Sequence, residues 1–181
     1  MSRRVSWLAG IALVVAAWFV AFATPVEDAR EAPFVVRAEV GQKAEGRDIA
    51  ARVDGLRRAD AVTAARWRAE GNWLIVDLTV SSRVTTSGAF LGNATLHADG
   101  RAYYASERPT SLHRQRLYAD LPRSGSIAFE LPPDLTPGIA TLRLGGSTDE
   151  RLDSVLEITL DIGGIAPGAE EELRTTQWST W

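Results

Sequence analysis

The chain has 181 residues, with 20 basic against 23 acidic side chains, a formal net charge of −3 and no cysteine. Lack of thiols excludes disulfides, thiolate catalysis and Cys-based zinc sites. A mildly acidic balance with no basic cluster speaks against a nucleic-acid-binding domain, and the length suits one ordinary domain with its own core.

Residues 1–4 form a short basic leader with Arg3 and Arg4, and residues 5–23, VSWLAGIALVVAAWFVAFA, carry no charge. As a helix that run spans about 28 Å, close to the hydrocarbon thickness of a bilayer. By the positive-inside tendency Arg3 and Arg4 stay cytoplasmic, and Glu27, Asp28 and Glu31 lead into an extracytoplasmic domain. The run reads either as a signal anchor that stays in the plasma membrane, or as a signal peptide cut after Ala21-Phe22-Ala23 to release a secreted factor. Its length and the bulky Trp18 and Phe19 favour the anchor.

Residues 24–33 are a polar, acidic linker bounded by Pro25 and Pro33. Phe34 to Val40, stopped by Gly41-Gln42, and Ile49 to Leu56, with Asp54-Gly55 near its end, read as strands. Leu56 to Glu70 has partial helical spacing; a strand at Val62 to Trp67 that turns through Glu70-Gly71-Asn72 is preferred, with a helix as the alternative. Trp73 to Ser82, WLIVDLTVSS, is the strongest β signal. Leu74, Val76, Leu78 and Val80 share one face and Asp77 and Thr79 the other, which predicts a half-buried central strand.

Gly88 and Gly92-Asn93 mark turns before Ala94 to Ala98, and Asp99-Gly100 predicts a tight hairpin into Arg101-Ala102-Tyr103-Tyr104. Ser106 to Arg123 is polar and reads as a surface connection. Strands follow at Ser126 to Leu131, at Ile139 to Leu144 after a Thr136-Pro137-Gly138 turn, and at Ser154 to Ile162. Residues 163–181 read as a polar tail whose Trp178 and Trp181 are expected to dock on the domain, with the bilayer interface or a partner as alternatives. Seven or eight short β runs at these intervals predict an all-β, antiparallel sandwich over residues 34–162, preceded by one transmembrane helix.

The order of features resembles the immunoglobulin-like extracytoplasmic domains of unknown function on actinobacterial and other Gram-positive lipoproteins and anchored proteins, a group similar to mycobacterial secreted immunoprotective antigens. Gly41-Gln42, Gly71-Asn72 before Trp73 to Ser82, Asp99-Gly100-Arg101-Ala102-Tyr103, and Ser126 to Pro132 with Phe129 carry the likeness, over roughly Phe34 to Ile162. The resemblance implies an immunoglobulin-like sandwich serving as a binding or scaffolding module at the cell envelope, and implies no catalytic residues. Two departures stand out: no lipobox cysteine is present, and the stretch before Trp73 is rich in Ala and Arg.

The sequence predicts no catalytic, cofactor or metal residues. His97 and His113 are sixteen apart without supporting ligands, and no Gly-x-Ser-x-Gly elbow or phosphate-binding glycine loop occurs. Asp149, Glu150 and Asp153 offer hard oxygen ligands without the spacing of a calcium loop. Asn93-Ala94-Thr95 matches a glycosylation sequon by chance. Tyr103-Tyr104 puts one ring inward and one outward. Arg114, Arg116 and Tyr118, with Trp178 and Trp181, are the residue types enriched at binding hot spots and form the expected partner surface. The preferred reading is a non-catalytic, membrane-anchored module that binds an envelope protein; the rivals are a cleaved secreted factor and a hydrolase or ligand-binding enzyme using loop carboxylates such as Asp99 or Asp120.

Overall fold

The apolar run folds into one helix, α1 (Arg3–Ala23), in which every side chain from Val5 to Phe22 is exposed. The computed structural model describes residues 3–23, 32–84, 89–136, 138–149, 151 and 153–181. Residues 1–2 of the leader, 24–31 of the linker, Gly88, Pro137 and Glu150 lie outside them. The helix belongs to a unit ending at Ala32, and Pro33–Trp181 forms a second.

The second unit is all β. In chain order its strands are β1 (Phe34–Glu39), β2 (Ala44–Glu45), β3 (Ile49–Ala64), β4 (Trp67–Ser82), β5 (Asn93–Ala98), β6 (Arg101–Tyr104), β7 (Arg123–Leu131), β8 (Ile139–Gly145), β9 (Ser154–Asp161), β10 (Pro167–Gly168), β11 (Glu171–Glu172) and β12 (Gln177–Trp178). One sheet runs β1-β9-β8-β5-β6 and the other β10-β3-β4-β7-β12, with β2 and β11 also on β3. The expected sandwich is therefore present. Its pairings are antiparallel except at the edges, where β1 runs parallel to β9, and β10 and β11 run parallel to β3.

Period-two alternation builds the core. Leu74, Val76, Leu78 and Val80 of β4, with Ile127 and Phe129 of β7, face Leu96 of β5, Leu142 and Leu144 of β8, and Leu156, Ile158 and Leu160 of β9. Each fully buried side chain of this size is worth roughly 1.5–3 kcal/mol, so alternation is the pattern that holds the layers together. The Asp99-Gly100 hairpin forms as expected, with φ of 49° and 68° at its two turn residues.

Four local expectations are corrected. The hairpin between β3 and β4 turns at Ala65-Arg66, with Ala65 at φ 52°, and Gly71 sits inside β4 at φ 148°. Strand rather than helix is thus right for 56–70, but the turn falls inside the expected Val62–Trp67 strand and not at Gly71, which β4 absorbs at a register shift opposite Ala59–Ala61. Asp54-Gly55 does not end β3. It is absorbed as a bulge between Val53 and Gly55, where Asp54 Oδ2 accepts from Thr79 Oγ1 at 2.6 Å.

The connection 106–123 is not wholly superficial. Leu112 and Leu117 are buried in the core, since a crossing from one sheet to the other must plug the open side of the sandwich. Finally, β4 is buried on both faces, not one. Trp73 and Ile75 pack with Ala128, Ala59, Val62 and Leu173, so the expected tail 163–181 is a strap over the outer face. It follows the β3 edge as β10 and β11, crosses at Leu173 and Arg174, and pairs with β7 as β12.

Candidate functional site

The expected partner surface is only partly brought together. Tyr118 and Trp178 meet with ring centroids 5.5 Å apart, because Ser82 N–H donates to Tyr118 O and Ser179 N–H to Pro122 O, which pins both segments at one end of the β-sheet. The Arg123 guanidinium lies 5.2 Å over the Trp178 ring and donates to Arg116 O at 3.0 Å. Arg116 in turn lies 5.8 Å over Phe90. Tyr118 is 44% exposed, Leu121 55% and Trp178 61%, so the cluster presents apolar area to solvent. Trp181 is drawn elsewhere, under Lys43 Nζ at 4.3 Å.

Arg114 faces a different environment. It adopts φ 60°, a left-handed conformation that costs an arginine roughly 1–2 kcal/mol, while its N–H donates to Leu91 O. Its guanidinium is engaged by both oxygens of Glu107 at 2.8 and 3.1 Å. A depression of about 230 Å³ beside it is lined by Asn93, Tyr104, Glu107, His113 and Thr148, and a neighbouring one of about 500 Å³ by Phe90, Gly146 and Ser147. Neither Asp99 nor Asp120 lines these depressions. Burial, then the Arg114 charge, lowers the His113 pKa, which keeps the ring neutral at pH 7 against the weaker pull of Glu107.

The remaining candidates are committed to structure. Asp149 is clasped by Arg151, whose side chain and N–H hold its carboxyl at about 2. Asn93 is buried and accepts from Thr95 Oγ1 at 2.7 Å. His97 is exposed beside the hairpin, and Tyr103 turns toward the core while Tyr104 faces out.

Two charged clusters were not legible in the sequence. Asp77 of β4 is only 2% exposed, and its carboxylate accepts from Arg57 Nη2 (2.9 Å), Arg57 Nε (3.1 Å) and Ser126 Oγ (2.5 Å), with Arg174 Nε 3.4 Å away. Arg57 Nη1 also donates to Glu171 Oε2 (2.5 Å) and Glu172 O (3.0 Å). The network ties the strap to the central strand. The single sequence signal was an aspartate in the middle of the most apolar strand.

The second cluster is a carboxylate pair, Asp48 and Asp153, in which burial and then the Asp153 charge and hydrogen bond raise the Asp48 pKa. Stability from the protonated partner is complete below the unfolded aspartate value near 4 and is lost as pH rises through the raised folded value. Asp48→Asn is therefore expected to raise the melting midpoint by about 1–2 °C at pH 7, with the gain vanishing below about pH 4. Melts at a series of pH values test this; a gain of equal size at pH 3 would refute it.

No family model and no curated protein matches the chain. Three crystal structures resemble it. They are the yjhA protein from Bacillus subtilis (11% identity, 66% of this chain and 98% of that one, TM-score 0.46), an uncharacterized β-sandwich protein from Clostridium difficile 630 (9%, 72% and 97%, 0.47), and the secreted protein MPT63 from Mycobacterium tuberculosis (15%, 70% and 98%, 0.49). At such identities the likeness concerns fold alone.

Proposed function

We propose that the chain is a membrane-anchored, extracytoplasmic β-sandwich of the immunoglobulin-like kind carried by Gram-positive envelope proteins, acting by binding a protein partner rather than by catalysis. The observation that carries the anchor is the helix: Val5–Phe22 has a mean hydropathy of 2.2 and none of it is covered by protein. An exposed apolar run of 18 residues is costly in water, and a bilayer removes that cost. Arg3 and Arg4 support a cytoplasmic N-terminus and, with it, an extracytoplasmic Pro33–Trp181.

The binding reading is supported by where the charges go. Arg114 and Glu107 neutralise each other, as do Arg151 and Asp149, whereas Tyr118, Leu121 and Trp178 stay open to solvent. Aromatic and arginine side chains in an exposed group are the composition of interaction hot spots.

The test is fractionation of cells producing the full chain, with mass spectrometry of its N-terminus. The expected result is retention in the membrane after alkaline carbonate washing, residues 1–23 present, and digestion of the sandwich by protease added to spheroplasts. A soluble chain beginning at Thr24 would replace the anchor with a signal peptide and make the protein a secreted factor.

A further inference from the structure

An arginine stands where the backbone favours glycine. Gln115 N–H donates to Leu112 O at 3.2 Å, closing a turn over 112–115 whose third residue, Arg114, has φ 60°. Turns with a positive φ at that place take glycine or asparagine, because a β-carbon there is strained. Such strain clusters at ligand clamps and active sites. The ion pair of Arg114 with Glu107 does not account for it: both side chains are more than half exposed, and an exposed pair contributes little to stability. The arginine is therefore held for what its side chain presents and not for the fold.

What it presents borders the cleft of about 230 Å³ formed by the start of β5, the end of β6, the 112–115 turn and Thr148. Among the described residues, Glu107 and Arg114 are the charged side chains lining it, and Arg114 uses two of its five guanidinium hydrogens on Glu107, at 2.8 and 3.1 Å. His113 has an enclosed Nδ1 with no hydrogen-bond partner among the described residues, and its neutral ring offers one donor and one acceptor. Tyr104, 75% exposed, adds an aromatic face. The charges next along the chain are cancelled as well, since Arg108 holds Glu130 and Arg151 holds Asp149.

An anion drawn by Arg114 is repelled by Glu107, and a cation meets the reverse, so a net charge on the ligand gains nothing here. A neutral ligand carrying hydroxyls donates to the carboxylate and accepts from the guanidinium, and such charge-assisted hydrogen bonds are about twice as strong as neutral ones. The electropositive C–H face of a sugar ring suits the negative face of an aromatic ring. At about 30 Å³ per water the cleft holds about eight waters, room for one six-membered ring. The wider depression of about 500 Å³ shares Gly92, Arg114 and Thr148 with it and brings Phe90, so a second ring has a place beside the first. We propose that the cleft binds a neutral hexopyranose unit of a saccharide, with Tyr104 against its C–H face and Glu107, Arg114 and His113 on its hydroxyls. Neither Tyr118 nor Trp178 lines either depression, so this site is separate from the exposed aromatic group and adds a ligand to the protein-binding reading.

Full-length protein in a phosphocholine detergent, which carries no sugar, is titrated with methyl β-D-glucopyranoside, methyl α-D-mannopyranoside and methyl β-D-galactopyranoside and followed by saturation-transfer NMR. Glucuronate and glucosamine serve as charged controls. The expected result is saturable transfer to at least one neutral glycoside with a Kd on the order of 1 mM, at least about three-fold tighter than for either charged sugar. Tyr104→Ala is expected to weaken binding by about three- to ten-fold and Glu107→Gln by about ten-fold, while Tyr118→Ala leaves it unchanged. Arg114→Gly is expected to weaken it by at least about ten-fold and to melt no lower than the parent chain, since glycine suits the turn. Failure of all three glycosides to saturate would overturn the site. Tighter binding of glucuronate or glucosamine would overturn the neutral assignment, and undiminished binding by Arg114→Gly would overturn the role of the turn. A lower melting midpoint for that variant would make the arginine a structural residue instead.

Discussion

Arg57→Ala is expected to lower the unfolding free energy by about 3 kcal/mol and the melting midpoint by roughly 10 °C. The cost arises at Asp77, not at the arginine. A carboxylate at 2% exposure would keep Ser126 Oγ and a single Arg174 contact at 3.4 Å, losing its two closest guanidinium donors. A buried charge stripped of a partner is costly, whereas removing both partners together returns much of the loss. Accordingly, Asp77→Ala added to Arg57→Ala is expected to cost less than the two single changes combined, by at least about 1 kcal/mol. Thermal melts of the four proteins in detergent, followed by near-ultraviolet circular dichroism, give the cycle. A single-variant loss under about 1 kcal/mol would show that the network is solvated and structurally idle.

A larger effect is expected from truncation after Ile162. The strap supplies Leu173 to the cluster of Trp73, Ile75 and Ala128, and Arg174 and Glu171 to the charged network. Leu173→Ala alone is expected to cost about 2–3 kcal/mol, the usual loss for a buried leucine. Without the whole strap, Trp73 and Ile75 face water and Arg57 loses its contacts with Glu171 and Glu172. The truncated chain should therefore lose cooperative unfolding or melt at least about 15 °C lower, and bind a hydrophobic dye that the full chain ignores. A truncated protein melting within a few degrees of the full chain would mean that the strap decorates a sandwich already complete.

Period-two alternation made most of the fold legible. It named the inward residues of β4, β7, β8 and β9, and Asp99-Gly100 named its hairpin, because each rests on a local rule that tertiary packing reinforces. What escaped was set by distant contacts. Leu112 and Leu117 sit in a polar stretch with no period, and only the gap between the sheets makes them core. Pro167–Gly168, Glu171–Glu172 and Gln177–Trp178 are two-residue strands, too short to show alternation and specified by the free edges they meet. Asp77 read as a wet-face residue, which is what an aspartate on an alternating strand ordinarily is; its burial depends on Arg57 and on a strap nearly a hundred residues later. At the candidate surface, residue type pointed to Tyr118 and Trp178, while Arg123 and Leu121 required the register of β12 on β7 to place them.

The strap also sets the order in which the protein comes into being. Synthesis delivers β4 about ninety residues before Leu173, which covers its outer face, and Arg174, which reaches Asp77. The opposite edge waits too, since Phe34 has its strand partner at Ser154. Neither sheet is closed by its own neighbours in sequence, so no N-terminal portion is a finished substructure, and non-local pairing of this kind is slow. The outer face of β4 in a nascent chain therefore stays open at least until Leu173 and Arg174 arrive.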